Sequence, residues 1–380
     1  MGLRADVSGH GRGSLRPGVS RLDGVLHAAN GQDAHSEALS CGGRDASGAG
    51  GADGSHFGSA GRGAGDFGPG FDVEVPHSGY AWWYIDALSD DGRNALTLIA
   101  FIGSVFSPYY AFNRRFGSGD PAQHCAVNLA LYGNHGKRWC MTERPRADLM
   151  RSPASLAIGP SGLQWEEGRL TISIDERTVP LPRIIKGTVT VTDFTPGCAS
   201  VALDGRGAHL WRPVAPHARI YVAFEQPLLS WTGNAYFDRN WGSEPLERAF
   251  RRWTWARAHA GRRTHVIYDA ERRDGARLSI ARQLSETGEH KDFEPPSEAE
   301  LPPSIVWRMP RAMRSCRDAP PRIVKTLEDT PFYARSLIQS TVEGERLSWI
   351  HESLSLDRVS NPVVRLMLPF RMPRFKSRPR

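Results

Sequence analysis

The sequence predicts an all-β protein, two antiparallel barrel-like domains packed together behind a disordered head. Three observations carry this. Segment after segment alternates apolar and polar residues with period two, the strand signature. Turn-forming residues punctuate those segments. The stretch after residue 69, about 310 residues, is too long for one small barrel, and it divides into residues 70–225 and 226–380.

Residues 1–69 are rich in Gly, Ser, Ala, Asp and His, with few aromatic residues and no periodicity. Such a stretch cannot bury enough apolar surface to offset its ordering entropy, so disorder is expected. It contains Gly63-Ala64-Gly65-Asp66-Phe67-Gly68, a Gly-x-Gly-x-x-Gly match. No strand precedes it and no helix follows, so it is not read as a dinucleotide site.

Order begins near Phe71. Residues 125–131 set larger apolar groups on one face, and residues 170–174 and 188–192 alternate apolar with polar. Ile220, Val222 and Phe224 share a face, as do Trp253 and Trp255, because side chains two apart on a strand point the same way. Turns are expected at Asp90-Asp91-Gly92, Gly133-Asn134, Pro160-Ser161-Gly162 and Asp274-Gly275. Helices are expected to be short, as around residues 247–251. Residues 283–322 contain Glu294-Pro295-Pro296 and Leu301-Pro302-Pro303 and read as a loop excursion. Residues 365–380 hold six basic residues and no acidic one, interleaved with Leu366, Met367, Leu368, Phe370, Met372 and Phe375. That composition fits a frayed basic tail or an interfacial anchor on an anionic membrane.

The five cysteines are odd in number and none forms Cys-x-x-Cys. Neither a disulfide framework nor a zinc site is expected, and free thiols in a reducing compartment are. The net charge of +7 and the pI near 9.3 suit nucleic acid or an anionic membrane, but no nucleic-acid module is recognisable. Residues 1–6 lack the apolar core of a signal peptide. The longest apolar run, residues 95–106, is too short to span a bilayer. His351-Glu352 has Ser, not His, at position 355, which removes the zinc-protease helix; phosphate-loop and nucleophile-elbow motifs are absent as well. No metal or cofactor is expected.

What remains is a set of aromatic-rich segments with a few acids. In Tyr236-Phe237-Asp238, Tyr236 and Asp238 share a strand face; in His209-Leu210-Trp211, His209 and Trp211 do the same. Two short strands would then present an acid, an imidazole, a phenol and an indole to one cavity. A carboxyl buried among aromatics has its pKa raised and can donate a proton near neutrality. Aromatic faces stabilise a developing cation. The combination suits protonation of an alkene. Asp86 is a second candidate acid, its plainer reading being a solvated carboxylate near a turn.

These segments also carry a family resemblance. Trp82-Trp83-Tyr84-Ile85-Asp86-Ala87-Leu88-Ser89-Asp90-Asp91-Gly92, Ala100-Phe101-Ile102-Gly103-Ser104-Val105-Phe106-Ser107-Pro108-Tyr109-Tyr110 and Trp139-Cys140-Met141-Thr142-Glu143-Arg144 resemble the carotenoid 1,2-hydratases (hydroxyneurosporene synthases) of purple bacteria. So do the Tyr236-Phe237-Asp238-x-Asn-x-Gly-x-x-Pro-Leu-Glu pattern and Leu368-Pro369-Phe370-Arg371-Met372-Pro373-Arg374. The likeness runs over about residues 70–380, and the Gly-rich head is not expected of the family.

The resemblance implies two lipocalin-like β-barrel domains. It implies cofactor-free addition of water to the terminal C1–C2 double bond of an acyclic carotenoid such as neurosporene or lycopene. It gives importance to His209, Trp211, Tyr236 and Asp238. From their chemistry we expect Asp238 as proton donor to C2, Trp211 against the C1 cation, Tyr236 holding the acid or a water, and His209 orienting or deprotonating the water. Tyr109, Tyr110 and Phe112 are candidates for guiding the polyene. The substrate's chemistry and the tail suggest peripheral attachment to the cytoplasmic side of the inner or an intracytoplasmic membrane. A carotenoid carrier and a polyene cyclase are the competing readings; a carrier gains nothing from a costly buried acid.

Overall fold

The computed structural model describes residues 68–133 and 136–374. The Gly-x-Gly-x-x-Gly match, nearly all of the expected disordered head and the end of the basic tail lie outside those residues.

The first part of the chain runs through β1 (Tyr80–Ser89), β2 (Ala95–Ile102), α1 (Pro108–Phe116), β3 (Cys125–Tyr132) and β4 (Arg138–Arg144). Five shorter strands follow: β5 (Leu149–Ser152), β6 (Ser155–Ile158), β7 (Ser161–Glu166), β8 (Arg169–Arg177) and β9 (Ile184–Thr192). Then come β10 (Val201–Ala202) and the long pair β11 (His209–Gln226) and β12 (Leu229–Gly242). These form a 12-stranded sheet in the order β4-β3-β2-β1-β12-β11-β9-β8-β7-β6-β5, with β10 beside β11. Its pairings are antiparallel. β4 touches β8 and β3 touches β6, so the sheet curls back on itself into a barrel-like form.

The second part comprises α2 (Leu246–Ala249), β13 (Phe250–Ala260), β14 (Arg263–Arg272), β15 (Arg277–Leu284), β16 (His290–Asp292), β17 (Glu298–Leu301) and β18 (Arg311–Arg314). It ends with β19 (Arg322–Asp329), β20 (Tyr333–Val342), β21 (Glu345–Ser355), α3 (Leu356–Val359) and α4 (Pro362–Arg371). Seven strands make the second sheet, β16-β15-β14-β13-β21-β20-β19, and β17 pairs with β18 alone. The all-β class, the alternating segments and the short α2 are as expected.

β1 shows how the two sheets share residues. Ala81, Trp83, Ile85 and Ala87 point into the first sheet's core, with Leu96, Leu98, Val127 and Phe237. Tyr80, Trp82 and Tyr84 point the other way, into a second core shared with Trp253, Trp255, Tyr268 and Ile350 of the second sheet. A strand buried on both faces reads as a continuous apolar run instead of an alternation. A third cluster, with Ala256, Ile338 and Trp349, lies on the far face of the second sheet and includes Leu301 and Met313 of the β17–β18 pair. The expected loop excursion is therefore a partly stranded flap over a core.

Four expectations need correction. The boundary at 225/226 falls at the end of β11, just before the turn to β12, its hydrogen-bonded neighbour in the same sheet; the chain changes sheet after Gly242. Order begins before residue 70, because the Pro69 carbonyl accepts from Trp83 Nε1 (2.8 Å) and an Arg239 guanidinium (3.0 Å). The basic tail is helical through Arg371: Asn361 caps it by accepting from the Val363 N–H, and Pro362 occupies the first turn, where its missing N–H costs nothing. Cys125, Cys140 and Cys198 are free and buried as expected, but Cys316 is disulfide-bonded.

Candidate active site

The register between the central strands places the candidate residues. β1 pairs with β12 so that Tyr84 lies opposite Asp238 and Asp86 opposite Tyr236. β12 pairs with β11 so that Asn240 lies opposite Trp211 and Gly242 opposite His209. Residues directly opposite in an antiparallel pair share a face. Here that face is the one packed on the second sheet.

Asp238 is buried, 4% exposed. Its Oδ2 accepts from Trp211 Nε1 (2.9 Å) and from the Tyr236 hydroxyl (2.9 Å). Oδ1 is buried with no hydrogen-bond partner among the described residues. Burial pushes the Asp238 carboxyl up to about 7, against the opposing effect of its two donors. Both donors are neutral, so they offset the loss of water only in part. Around the acid, Tyr236 lies 5.3 Å from Trp255 and Trp211 lies 5.9 Å from Tyr268, centroid to centroid. Tyr84 meets Trp255 edge-on at 5.3 Å and Tyr236 at 6.4 Å. Asp238 thus sits in a cage of five aromatic rings drawn from both sheets.

Three of the four predicted residues come together; His209 does not. It lies four residues along the strand from Asp238's position, roughly 13 Å at the usual strand rise. Its Nδ1 pairs with the Tyr80 hydroxyl at 3.0 Å and its ring meets Phe250 edge-on. Burial lowers its pKa, with Asp204 and Glu244 opposing. The space for that ring explains Gly242. A Cβ there would come within 2.6 Å of the Tyr80 ring and 2.9 Å of His209 Nδ1.

Asp86 is a fully buried ion-pair partner, not a solvated carboxylate. It accepts from Arg257 Nε (2.7 Å) and from Arg335. Arg335, also fully buried, bonds Glu352 and the Tyr84 hydroxyl (2.7 Å) as well. Tyr84 in turn donates to Glu352 Oε1 at 2.8 Å.

Between the sheets lies a cavity of about 270 Å³, walled by Trp82, Tyr84, Ile99 and Phe101 on one side and Trp253, Glu352 and Leu354 on the other. α4 closes one end with Leu368, Arg371 and Met372. Ligand pockets are commonly about 300–1,000 Å³, so this one holds an end of a long chain and not the whole. Asp238 does not line the cavity; Tyr84, which lies opposite it in the strand pairing, does. Tyr109, Tyr110 and Phe112 are on α1 and do not line it; Tyr110 is buried, its hydroxyl donating to the Gly79 carbonyl. The sequence reading missed Tyr84, Tyr268, Arg335 and Glu352 as site groups, although Trp255 stood out by its shared face with Trp253. A lone acid between Ile350 and Leu354 on an otherwise buried strand face was the available signal for Glu352. Among the described residues, no group of three or more His, Cys, Asp and Glu is arranged to hold a metal ion.

The family model for carotenoid hydratase CrtC matches residues 98–379. An acyclic carotenoid 1,2-hydratase from Thiocapsa roseopersicina is 48% identical over 98% of this chain and 92% of its own length. Another from Rubrivivax gelatinosus is 47% identical over the same shares. Matches this long include most of the Gly-rich head, which is therefore not foreign to the family. The fold is similar to that of an AttH-like protein from Nitrosomonas europaea, with a TM-score of 0.54 at 16% identity over 78% of this chain and 97% of that one. The chain belongs to the carotenoid hydratase family, and it is an enzyme of the hydro-lyase class.

Proposed function

We propose that the enzyme adds water across the terminal C1–C2 double bond of an acyclic carotenoid such as lycopene or neurosporene, and that Asp238 starts the reaction by protonating C2. The observation that carries this is the buried carboxyl held by an indole and a phenol, its pKa raised by burial to about 7. With Oδ2 taken by two donors, the proton belongs on Oδ1. Protonation of C2 leaves a tertiary cation at C1, the more stable of the two possible cations. Aromatic faces stabilise such a charge without trapping it, which is the part assigned to Trp211, Tyr236 and Trp255. Water then supplies the hydroxyl, and the product is the 1-hydroxy tertiary alcohol. Proton and hydroxyl account for every atom added, so no cofactor is called for. Asp238 does not itself line the cavity, so the reacting end meets it by displacing Tyr84, which does. His209 falls to a supporting part, holding Tyr80 at the far end of the aromatic row.

A partner for the long substrate is also part of this reading. Val363, Leu366 and Phe370 of α4 are 66%, 73% and 80% exposed, while Leu368 of the same helix lines the cavity. α4 has Arg365 and Arg371 and no acidic residue. Ile305 and Val306 are exposed beside Trp307, another cavity-lining residue. An apolar patch with basic flanks suits an anionic bilayer. We infer peripheral docking there, on the cytoplasmic side, with the polyene entering from lipid.

The test is incubation with lycopene or neurosporene in oxygen-free, metal-chelated buffer made with isotopically labelled water. The expected product carries deuterium at C2 and the labelled oxygen at C1. Asp238→Asn should abolish turnover and leave carotenoid binding largely intact. Absence of product from well-folded enzyme with either substrate would overturn the proposal.

A further inference from the structure

We propose that Glu352 is the general base that takes a proton from the attacking water, so that Asp238 and Glu352 work as an acid–base pair across the seam between the sheets. This rests on the hydration reading above.

Position is the first argument. Glu352 comes from β21 of the second sheet and lines the cavity, the route by which water and the substrate's end approach Asp238. Tyr84 stands between the two carboxyls: its hydroxyl donates to Glu352, and its backbone lies opposite Asp238. Two other carboxylates line the cavity, but neither is bonded to Tyr84, the residue opposite Asp238. Glu328 accepts from Tyr132 and pairs with Lys137. Asp329 accepts from the Ser304 hydroxyl and from the N–H groups of Val306 and Trp307. His209 does not line the cavity at all.

Charge is the second argument. The seam buries three carboxyls, Asp86, Asp238 and Glu352, with two guanidiniums, Arg257 and Arg335. The set is neutral when one carboxyl holds a proton. Asp86 and Glu352 each pair with a guanidinium, whereas Asp238 has only the indole and the phenol. Asp238, held by two neutral donors, is the member of the set placed to give a proton, and Glu352, held by a guanidinium, is the one placed to receive it. Two carboxyls of one site with different partners suit the separate parts of acid and base. Around Glu352 stand Arg335 and Tyr333 from β20, Tyr84 and Asp86 from β1, Tyr132 from β3, Tyr268 from β14 and Asp238 from β12. Burial holds all four tyrosines well above their ordinary range, so they stay neutral. Burial also raises Glu352, with Arg335 opposing.

The steps balance. The C1=C2 π pair takes the proton from Asp238 Oδ1, forming the C2–H bond and the C1 cation. A water lone pair forms the C1–O bond, and the proton released goes to the Glu352 carboxylate. A proton then returns from Glu352 to Asp238, leaving alkene plus water converted to alcohol.

The experiment separates protonation from capture of water. Glu352→Gln keeps the volume and an oxygen that still accepts from Tyr84 and Arg335. In deuterated water with lycopene, this variant should lose hydration by about 10²–10⁴-fold, the usual share of a general base. It should still place deuterium in the recovered olefin or its double-bond isomer, because Asp238 still makes the cation. Asp238→Asn should do neither. Hydration by Glu352→Gln within a few-fold of the parent overturns the proposal, as does equal loss of hydration and exchange. The unaltered enzyme gives a second readout that no folding defect can cloud. Its ratio of hydration to exchange should fall toward acid pH as Glu352 gains a proton, and a ratio independent of pH overturns the proposal. If the unaltered enzyme gives neither hydration nor exchange, the hydration reading itself has failed.

Discussion

At the scale of residues, the proposed part of Asp238 as proton donor ties catalysis to stability. Its pKa is raised by burial to about 7, above the roughly 3.9 of an exposed aspartate. The folded state therefore binds this proton more tightly than the unfolded one. Its contribution to stability is complete below about pH 4 and is lost as pH rises to about 7. Above that, ionising the buried group costs about 4 kcal/mol at most. Asp238→Asn carries no charge and can accept from both Trp211 and Tyr236. It should melt higher than the parent at pH 8–9, with the gap closing by pH 4, as calorimetry across that range would show. Hydration should likewise fall as pH rises through about 7. Trp211, Tyr236 and Asp238 were legible in the sequence because period two alone puts Tyr236 beside Asp238 and marks which face Trp211 takes. His209 was misplaced by the same rule: sharing a strand face does not mean sharing a cavity when four residues intervene. Glu352 and Arg335 were hidden because their partners come from a strand about 250 residues away, and only sheet docking joins them.

At the scale of elements, α4 is the part that the sequence reading failed to see as a helix. Residues 365–380 read as a tail, yet Asn361 followed by Pro362 is a start signal for a helix. Arg374, just past its end, bonds Glu143 (2.7 Å) and the Gln123 carbonyl (2.9 Å), tying the segment to β4 and the turn before β3. The helix is thus held over the cavity with its outer face bare. Replacing Leu366 and Phe370 together with Glu should leave the fold intact, since both are mostly exposed. It should reduce co-flotation with vesicles containing anionic lipid by tenfold or more, because two apolar anchors are lost and two negative charges gained. Turnover of detergent-solubilised lycopene should change far less; flotation and turnover measured side by side check both. Among strands, β8 and β9 were legible because one face is buried and the other wet. β1 was not, because both of its faces are covered.

At the scale of the whole molecule, docking of the two sheets builds the site, and Arg335 is the residue most committed to it. It is fully buried between Asp86, Glu352 and Tyr84. Arg335→Met would leave two buried carboxyls short of a partner, at a cost of about 3–5 kcal/mol. Urea unfolding should show that loss, and adding Glu352→Gln to the same protein should recover part of it. The division into two β-units was legible from length and periodicity; its position was not, because the Pro227-Leu228 turn between β11 and β12 has the composition of a linker while serving as a hairpin. The seam has one more consequence. Of the five ionisable groups of the seam, only Glu352 also lines the cavity; its walls come from many other elements, β2, β3, β4, α4 and residues 328–333 among them. Selection can therefore reshape the enzyme for longer, shorter or more oxidised chains by altering those walls, while the acidity of Asp238 is inherited unchanged.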